Sequence, residues 1–121
     1  MILNKLLSKY DEIKLNKIKD FILSEIHEDT IKETENFINC KLSDRKNKFN
    51  DLLYEGENYV GVFLEGNQYL ISEEDNIVII IDFISEENGV GRDLTRFELS
   101  TEDFLVLINN KEQVLKFEKY N

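Results

Sequence analysis

The sequence predicts a single α+β domain over residues 1–121, in which N-terminal helices are followed by an antiparallel β-meander of about four strands and a short C-terminal helix. Two observations carry this prediction. Apolar residues recur at helical spacing through residues 1–55, whereas residues 57–121 are mainly β-like, with alternating and β-branched segments. The 121 residues are 41% hydrophobic, which is enough for one core and too apolar for intrinsic disorder.

The helical part is expected to contain several amphipathic segments. The apolar stripe changes phase near residues 11–16, which predicts either a helix break or one long helix with a rotated stripe. A capping box at Thr30–Glu33 predicts another helix start, and Arg45–Tyr54 a further helix that ends before Gly56. The apolar positions that define these stripes are Leu3, Leu6, Leu7, Tyr10, Ile13, Ile18, Phe21, Ile22, Ile26, Phe37, Ile38, Leu42, Phe49, Leu52 and Leu53.

The second part changes to a period of two. Tyr59–Leu64 and Tyr69–Ser72 flank a Gly-containing connection and predict a hairpin. Asn76–Ile84 is apolar on both faces, so we expect a central strand that is covered on both sides. Asp93–Leu99 alternates polar and apolar residues, as a half-exposed strand does.

The C-terminal region carries a second capping box, Ser100–Asp103, which predicts a short helix through about Asn109. The tail, Gln113–Tyr120, is compatible with a strand or a helix, and its pattern slightly favours a strand.

Composition excludes several classes of protein. No segment approaches the roughly 20 apolar residues of a membrane span, and the N-terminus lacks the features of a signal peptide. Cys40 is the only cysteine, so an internal disulfide is excluded and a reducing compartment is expected. We therefore expect a cytoplasmic protein with no membrane partner.

The charge of the chain is concentrated in one region. The sequence has 15 Lys and Arg against 25 Asp and Glu, a net charge of −10. The window Glu57–Asp103 holds twelve acids and only two bases, Arg92 and Arg96, so it carries the whole imbalance. Such a field attracts cationic partners and disfavours direct nucleic-acid binding. The alternative is an ordinary solvated acidic face, which aids solubility.

An up-and-down meander would gather these acids at its two ends. One end is predicted to collect six carboxylates and no Lys or Arg, and the other to collect acids that Arg92 dilutes. The residues expected to bind a partner are Glu57, Glu73, Glu74, Asp75, Glu86, Glu87, Asp93, Glu102 and Asp103. The six at the first end are Glu57, Glu73, Glu74, Asp75, Glu102 and Asp103.

Three residues invite a catalytic or metal-binding interpretation. Asp82 follows an apolar run, and a buried ionised carboxylate is costly unless it is paired. The favoured interpretation is a position near the strand end, exposed or paired with Arg96. His27 is the only histidine, so we expect a surface residue at a helix C-terminus. Cys40 follows helical spacing and is expected to be a core or half-buried thiol.

Two short segments resemble ligand loops without meeting their requirements. Asn88–Gly91 is expected to be a loop between strands, because no helix is predicted to follow it and acidic neighbours would repel phosphate. Glu73–Asn76 lacks the spaced ligands of a calcium loop. The sequence therefore predicts no cofactor, no metal site and no enzymatic activity.

In size, acidity and architecture the whole chain resembles the small immunity proteins of bacterial contact-dependent inhibition and related polymorphic toxin systems. The resemblance implies a cognate protein toxin with a basic surface, most readily a nuclease, bound near its active site. Two alternatives stay open: a phage-encoded nucleic-acid mimic that inhibits CRISPR or restriction systems, and a small carboxylate- or metal-dependent enzyme using Asp82. An exposed apolar stripe on the N-terminal helices would instead indicate a subunit of a larger assembly.

Overall fold

The computed structural model describes residues 2–119. Helices fill the first part of this range, and a four-stranded antiparallel sheet with further short helices fills the second, so the predicted α+β class is confirmed. The helices are α1 (Ile2–Ser8), α2 (Glu12–Glu25), α3 (Glu28–Asn39), α4 (Leu42–Lys48), α5 (Phe83–Glu87), α6 (Arg92–Thr95), α7 (Thr101–Ile108) and α8 (Lys111–Lys116). The strands are β1 (Leu64–Glu65), β2 (Tyr69–Glu74), β3 (Ile77–Asp82) and β4 (Arg96–Ser100).

The phase change in the N-terminal stripe is a helix break. Asp11 caps α2, and its carboxylate accepts a hydrogen bond of 2.7 Å from the Lys14 N–H. The stripe residues before and after the break are mostly buried in one core, but Ile13 is 66% exposed. Leu42 and Leu52, which were also expected to be buried, are exposed.

The predicted start of α3 is wrong by three residues. The helix begins at Glu28, and Thr30 lies inside its first turn, where its hydroxyl accepts a 2.8 Å hydrogen bond from the His27 N–H. Thr30 therefore bonds to the main chain at the start of α3 from inside the first turn, and it is not the N-cap of the helix. The helix expected over Arg45–Tyr54 is also displaced: α4 ends at Lys48, and a separate 3₁₀ turn covers Asn50–Leu52.

The sheet is the expected meander, with strand order β1-β2-β3-β4 and antiparallel pairs throughout. The first strand is much shorter than the predicted Tyr59–Leu64. Gly61 adopts a φ of 139° just before it, which interrupts the extended chain. The end of Asn76–Ile84 and the start of Asp93–Leu99 form the short helices α5 and α6 instead of strand.

Of the two remaining predictions, which concern the C-terminal elements, one is confirmed and the other is wrong. Ser100 caps α7 as expected, accepting a 3.1 Å hydrogen bond from the Asp103 N–H. The strand favoured for the tail is wrong, because residues 111–116 form α8, with Val114 buried in the main core. The last residue of that predicted segment, Tyr120, lies outside the described residues.

The two faces of the sheet are covered differently. Ile71, Ile80 and Phe97 pack against the helices and belong to the main core. On the opposite face, Leu70 and Ile81 contact a smaller cluster that we call the aromatic lid, formed by Tyr54, Tyr59, Phe63 and Phe83. None of the helices described between residues 2 and 119 is both long and apolar enough to cross a bilayer.

Candidate partner-binding surface

The β2–β3 hairpin presents acidic side chains at one end of the sheet. Asp75 and Asn76 form its two-residue turn with φ values of 52° and 65°, as a type I′ turn requires. Glu74 and Asp75 are exposed, and so is Glu102 in the first turn of α7, which follows β4 at the same end of the sheet. We call Glu74, Asp75 and Glu102 the acidic end.

Glu73 lies in the same hairpin but is engaged inside the fold. Its carboxylate accepts hydrogen bonds from Arg45 Nη2 at 2.8 Å and from the Thr101 hydroxyl at 3.2 Å. Arg45 is 1% exposed. The predicted absence of Lys and Arg from this end is therefore wrong, because a base distant in sequence folds onto it.

Each guanidinium nitrogen of the buried Arg45 donates at least one hydrogen bond. Its Nε and Nη2 donate to the carbonyls of Phe37 and Ile38 at 3.0 and 3.1 Å, and its Nη1 donates to the Glu73 carbonyl at 2.7 Å. The guanidinium also lies 4.8 Å from the Phe37 ring centroid. It thus ties two carbonyls in the last turn of α3 to β2.

Asp103 is also engaged. It forms an ion pair of 2.9 Å with Lys9 and accepts a 3.3 Å hydrogen bond from the Tyr10 hydroxyl. Burial, together with the Asp103 carboxylate, raises the pKa of Tyr10 well above its ordinary value. Asp103 therefore joins the α1–α2 corner to the start of α7 and is only partly available to a partner.

Glu57 is exposed, as expected, but does not join the acidic end. Two residues on, Tyr59 packs against the aromatic lid and lies 5.5 Å from the Arg96 guanidinium, which is at the opposite end of the sheet. Because β1 begins only at Leu64, the preceding loop is free to fold across the sheet instead of extending the strand.

The opposite end of the sheet holds a second set of predicted residues. Arg96 binds Glu86 through two hydrogen bonds of 2.6 and 3.0 Å, and Arg92 approaches the same carboxylate at 3.4 Å. The hydrogen bond from Arg96 is the main cause that lowers the pKa of Glu86. Glu87 and Asp93 are exposed. The negative charge at this end of the sheet is therefore partly neutralised by the two arginines.

Asp82 occupies the strand end, as favoured, but its partner is not Arg96. Its carboxylate caps α5, accepting from the Ser85 N–H at 3.1 Å and the Ser85 hydroxyl at 2.8 Å. Gln68 Nε2 donates to it at 3.0 Å. The half-buried carboxylate is thus satisfied by neutral donors that shape the β3–α5 corner.

Cys40 lies where the sequence placed it, and His27 only in part. His27 is exposed, as expected, but it is the N-cap of α3, two residues after the end of α2, with Nε2 at 3.2 Å from the Ser24 carbonyl oxygen. Cys40 is half-buried at the end of α3. Within residues 2–119, no three His, Cys, Asp or Glu side chains are grouped so that they could hold a metal ion.

The segment Asn88–Gly91 connects two helices rather than two strands, and α6 opens directly after it, contrary to expectation. The helix is only one turn long, with Asp93 in it, and Gly89 has a φ of 95°. The segment is thus a glycine-bearing turn with an acidic neighbour.

One feature of the surface was missed by sequence reasoning. The aromatic lid covers only half of its face of the sheet, and the half nearer the acidic end is open. Ile77 is 38% exposed there, Ile79 is half-buried, and Glu98 is exposed beside them. We call these three residues, with Glu74, the open sheet face. In the sequence, the open sheet face is indicated by the alternation of Glu98 with Phe97 and Leu99, which are buried.

The acidic end and the open sheet face are contiguous through Glu74. Exposed carboxylates in such a cluster repel one another over a Debye length of about 8 Å at physiological salt, so their proximity does not stabilise the fold. Next to a partly exposed apolar centre, they form a surface that a cationic protein can neutralise and cover.

No family model matches the chain, and neither curated proteins nor solved structures include a significant match to it.

Proposed function

We propose that this protein is an immunity protein, which binds and neutralises a cognate bacterial toxin domain carrying a basic cleft, such as that of a nuclease. One observation carries the proposal. Glu74, Asp75 and Glu102 are exposed at one end of the sheet and make no ion pair within residues 2–119, although other acids of the same region are paired.

Electrostatics supports this choice of partner. A toxin that cleaves nucleic acid must bind phosphates, so its cleft is basic, and carboxylates on a rigid hairpin can occupy the same positions. Complementary fields accelerate association, which suits an inhibitor that must act before its target does damage. Because the three carboxylates make no ion pair within residues 2–119, a cationic partner would relieve their mutual repulsion.

The packing of the sheet supports a protein partner. Ile77 and Ile79 offer apolar contact area, and Glu74 and Glu98 flank them with charge. An apolar centre with a polar rim is the usual anatomy of a protein interface. A toxin that attacks nucleic acid works in the cytoplasm, and the lone, half-buried Cys40 suits that compartment.

The proposal is tested by co-expression with the C-terminal domain encoded by the gene immediately upstream. We expect that domain to stop growth and this protein to restore it. The triple variant Glu74→Lys, Asp75→Asn and Glu102→Lys should restore growth poorly. Asparagine is used at position 75 because it tolerates the left-handed backbone there.

The matched control changes three exposed acids outside the charged window by the same total charge: Asp20→Lys, Asp51→Asn and Glu118→Lys. It should protect as well as the unmodified protein does. A harmless upstream product, or equal protection by both triple variants, contradicts the proposal. Inhibition of a CRISPR or restriction nuclease in place of the upstream domain would identify a nucleic-acid mimic instead.

A further inference from the structure

Strand β4 lies at an edge of the sheet, with β3 on one side and no strand on the other. The N–H of Thr101 donates to the Asn76 carbonyl at 2.9 Å, so these two residues form a hydrogen-bonded pair. From there, hydrogen-bonded and non-hydrogen-bonded residue pairs alternate along β3 and β4. Phe97 and Leu99 therefore direct their main-chain groups toward β3, and Glu98 directs its N–H and carbonyl outward. Within residues 2–119, no loop or side chain bonds to the Glu98 main chain.

A groove follows this edge. Its larger part, of about 510 Å³, lies between β4 and the start of α2, where Arg96 and Glu98 face Ile13 and Lys14. A second part, of about 240 Å³, continues past Glu98 and Lys14 to Ser100. The groove thus runs the length of β4, along one margin of the open sheet face.

The wall of the groove is held in place by two lysines. Lys17 Nζ donates to the Asp93 carbonyl at 2.6 Å, and Lys9 pairs with Asp103 at 2.9 Å. The first contact ties α2 to α6, and the second ties the α1–α2 corner to α7. The groove is therefore preformed, which lowers the entropic cost of occupying it.

We propose that β4 receives an extended segment of the cationic partner as a fifth strand, laid in this groove. The inference rests on the proposed function for the identity of the partner and adds the way in which it binds. An edge strand offers unpaired main-chain groups at the spacing that another strand requires. The added strand would satisfy the Glu98 N–H and carbonyl.

The side chains of the groove define the chemistry of that segment. In an added strand, side chains alternate between the open sheet face and the helical side. Those on the open face meet Glu98 and Ile79, so a Lys or Arg is expected beside Glu98. Those on the other side meet the 66% exposed Ile13 with Lys14 and Lys17 beside it, so apolar and not basic residues are expected there.

A second copy of this chain is a poorer occupant. The wall formed by the start of α2 bounds the groove, so a single strand fits along β4 more readily than a whole sheet backed by helices. Two copies would also each bring a net charge of −10 to the contact. A single extended segment meets neither difficulty, provided that its basic side chains lie on the face of Glu98 and its apolar ones on the face of Lys14 and Lys17.

The test uses amide hydrogen exchange of the full chain, with an alternating Lys-Val heptapeptide as the probe. In the free protein, the Glu98 amide should exchange much faster than those of Phe97 and Leu99. The peptide at millimolar concentration should slow exchange at Glu98 by about tenfold, because the amide gains a hydrogen bond. The same peptide, N-methylated at alternate residues, keeps its charge and should give no protection. Equal protection by both peptides, or none by either, overturns the inference.

The toxin complex separates this inference from the proposed function. Glu98→Pro removes the outward N–H and should weaken toxin binding by at least about tenfold, whereas Glu98→Gln keeps the N–H and should weaken it less. If the toxin binds while the Glu98 amide exchanges as in the free protein, strand addition is overturned and the immunity function stands. If the upstream domain does not bind but the unmodified peptide alone protects Glu98, strand addition stands and the immunity function fails.

Discussion

Arg45 offers the most informative perturbation of the fold. The variant Arg45→Ala removes four hydrogen bonds of 2.7 to 3.1 Å and the stacking on Phe37. It deprives three main-chain carbonyls and the Glu73 carboxylate of the Arg45 donor, although the Cys40 N–H still bonds to the Phe37 carbonyl and the Thr101 hydroxyl to the Glu73 carboxylate. Removing one partner of a buried ion pair typically costs about 3–5 kcal/mol. Because the Glu73 side chain is 15% exposed, water can solvate it in part, so we expect a loss of about 3 kcal/mol.

The assay is urea denaturation followed by far-ultraviolet circular dichroism, comparing free energies of unfolding. Lys48→Ala is the matched control, because it removes an exposed base from the same helix and should change stability by no more than about 0.5 kcal/mol. Arg45→Lys keeps the charge but not the planar fork of donors, so it should fall between the two. A loss below about 1 kcal/mol for Arg45→Ala would refute the reasoning, because it lies within the range of a single ordinary hydrogen bond.

Two further predictions concern carboxylates that are hydrogen-bonded within the fold. Glu25 accepts hydrogen bonds from the N–H groups of Asn67, Gln68 and Tyr69, so Glu25→Ala should cost about 1–3 kcal/mol by the same assay, and an unchanged midpoint would contradict this role. The lowered pKa of Glu86 means that its ionised form stabilises the fold above the ordinary value of 4.5, and that this stabilisation is lost as the pH falls through the folded-state pKa. Glu86→Gln should therefore lower stability at pH 7 and flatten its decline below about pH 4.5. An unaltered decline in unfolding free energy between pH 7 and pH 3 would contradict the pairing.

The elements that could be predicted are those with strong local signals. The periodicity of apolar residues was sufficient to predict α2 and β3, and the Ser100 cap was sufficient to predict the start of α7. The strand prediction for the tail is wrong because residues 111–116 are mostly good helix formers, and they form α8. The short β1 depends on the backbone conformation of Gly61 and on the packing of the aromatic lid, which no local pattern reveals.

The candidate surface shows a different limit. Exposure of Glu74, Asp75 and Glu102 follows from their place at a turn and a helix start. The engagement of Glu73 and Asp103 does not, because their bases lie 28 and 94 residues away in the chain. The open half of the sheet was missed for a related reason, since how far the aromatic lid extends depends on tertiary packing. Sequence therefore locates the charge, and the fold decides which carboxylates are available.

The central claim is that the acidic end steers and binds a basic toxin domain. The most direct measurement is the association rate with the upstream-encoded domain over a range of salt concentrations. We expect the variant Glu74→Lys, Asp75→Asn and Glu102→Lys to associate at least about tenfold more slowly at low salt and to lose most of the salt dependence. The control Asp20→Lys, Asp51→Asn and Glu118→Lys should keep both the rate and its salt dependence. Identical rates and salt dependences for the two variants would contradict the claim.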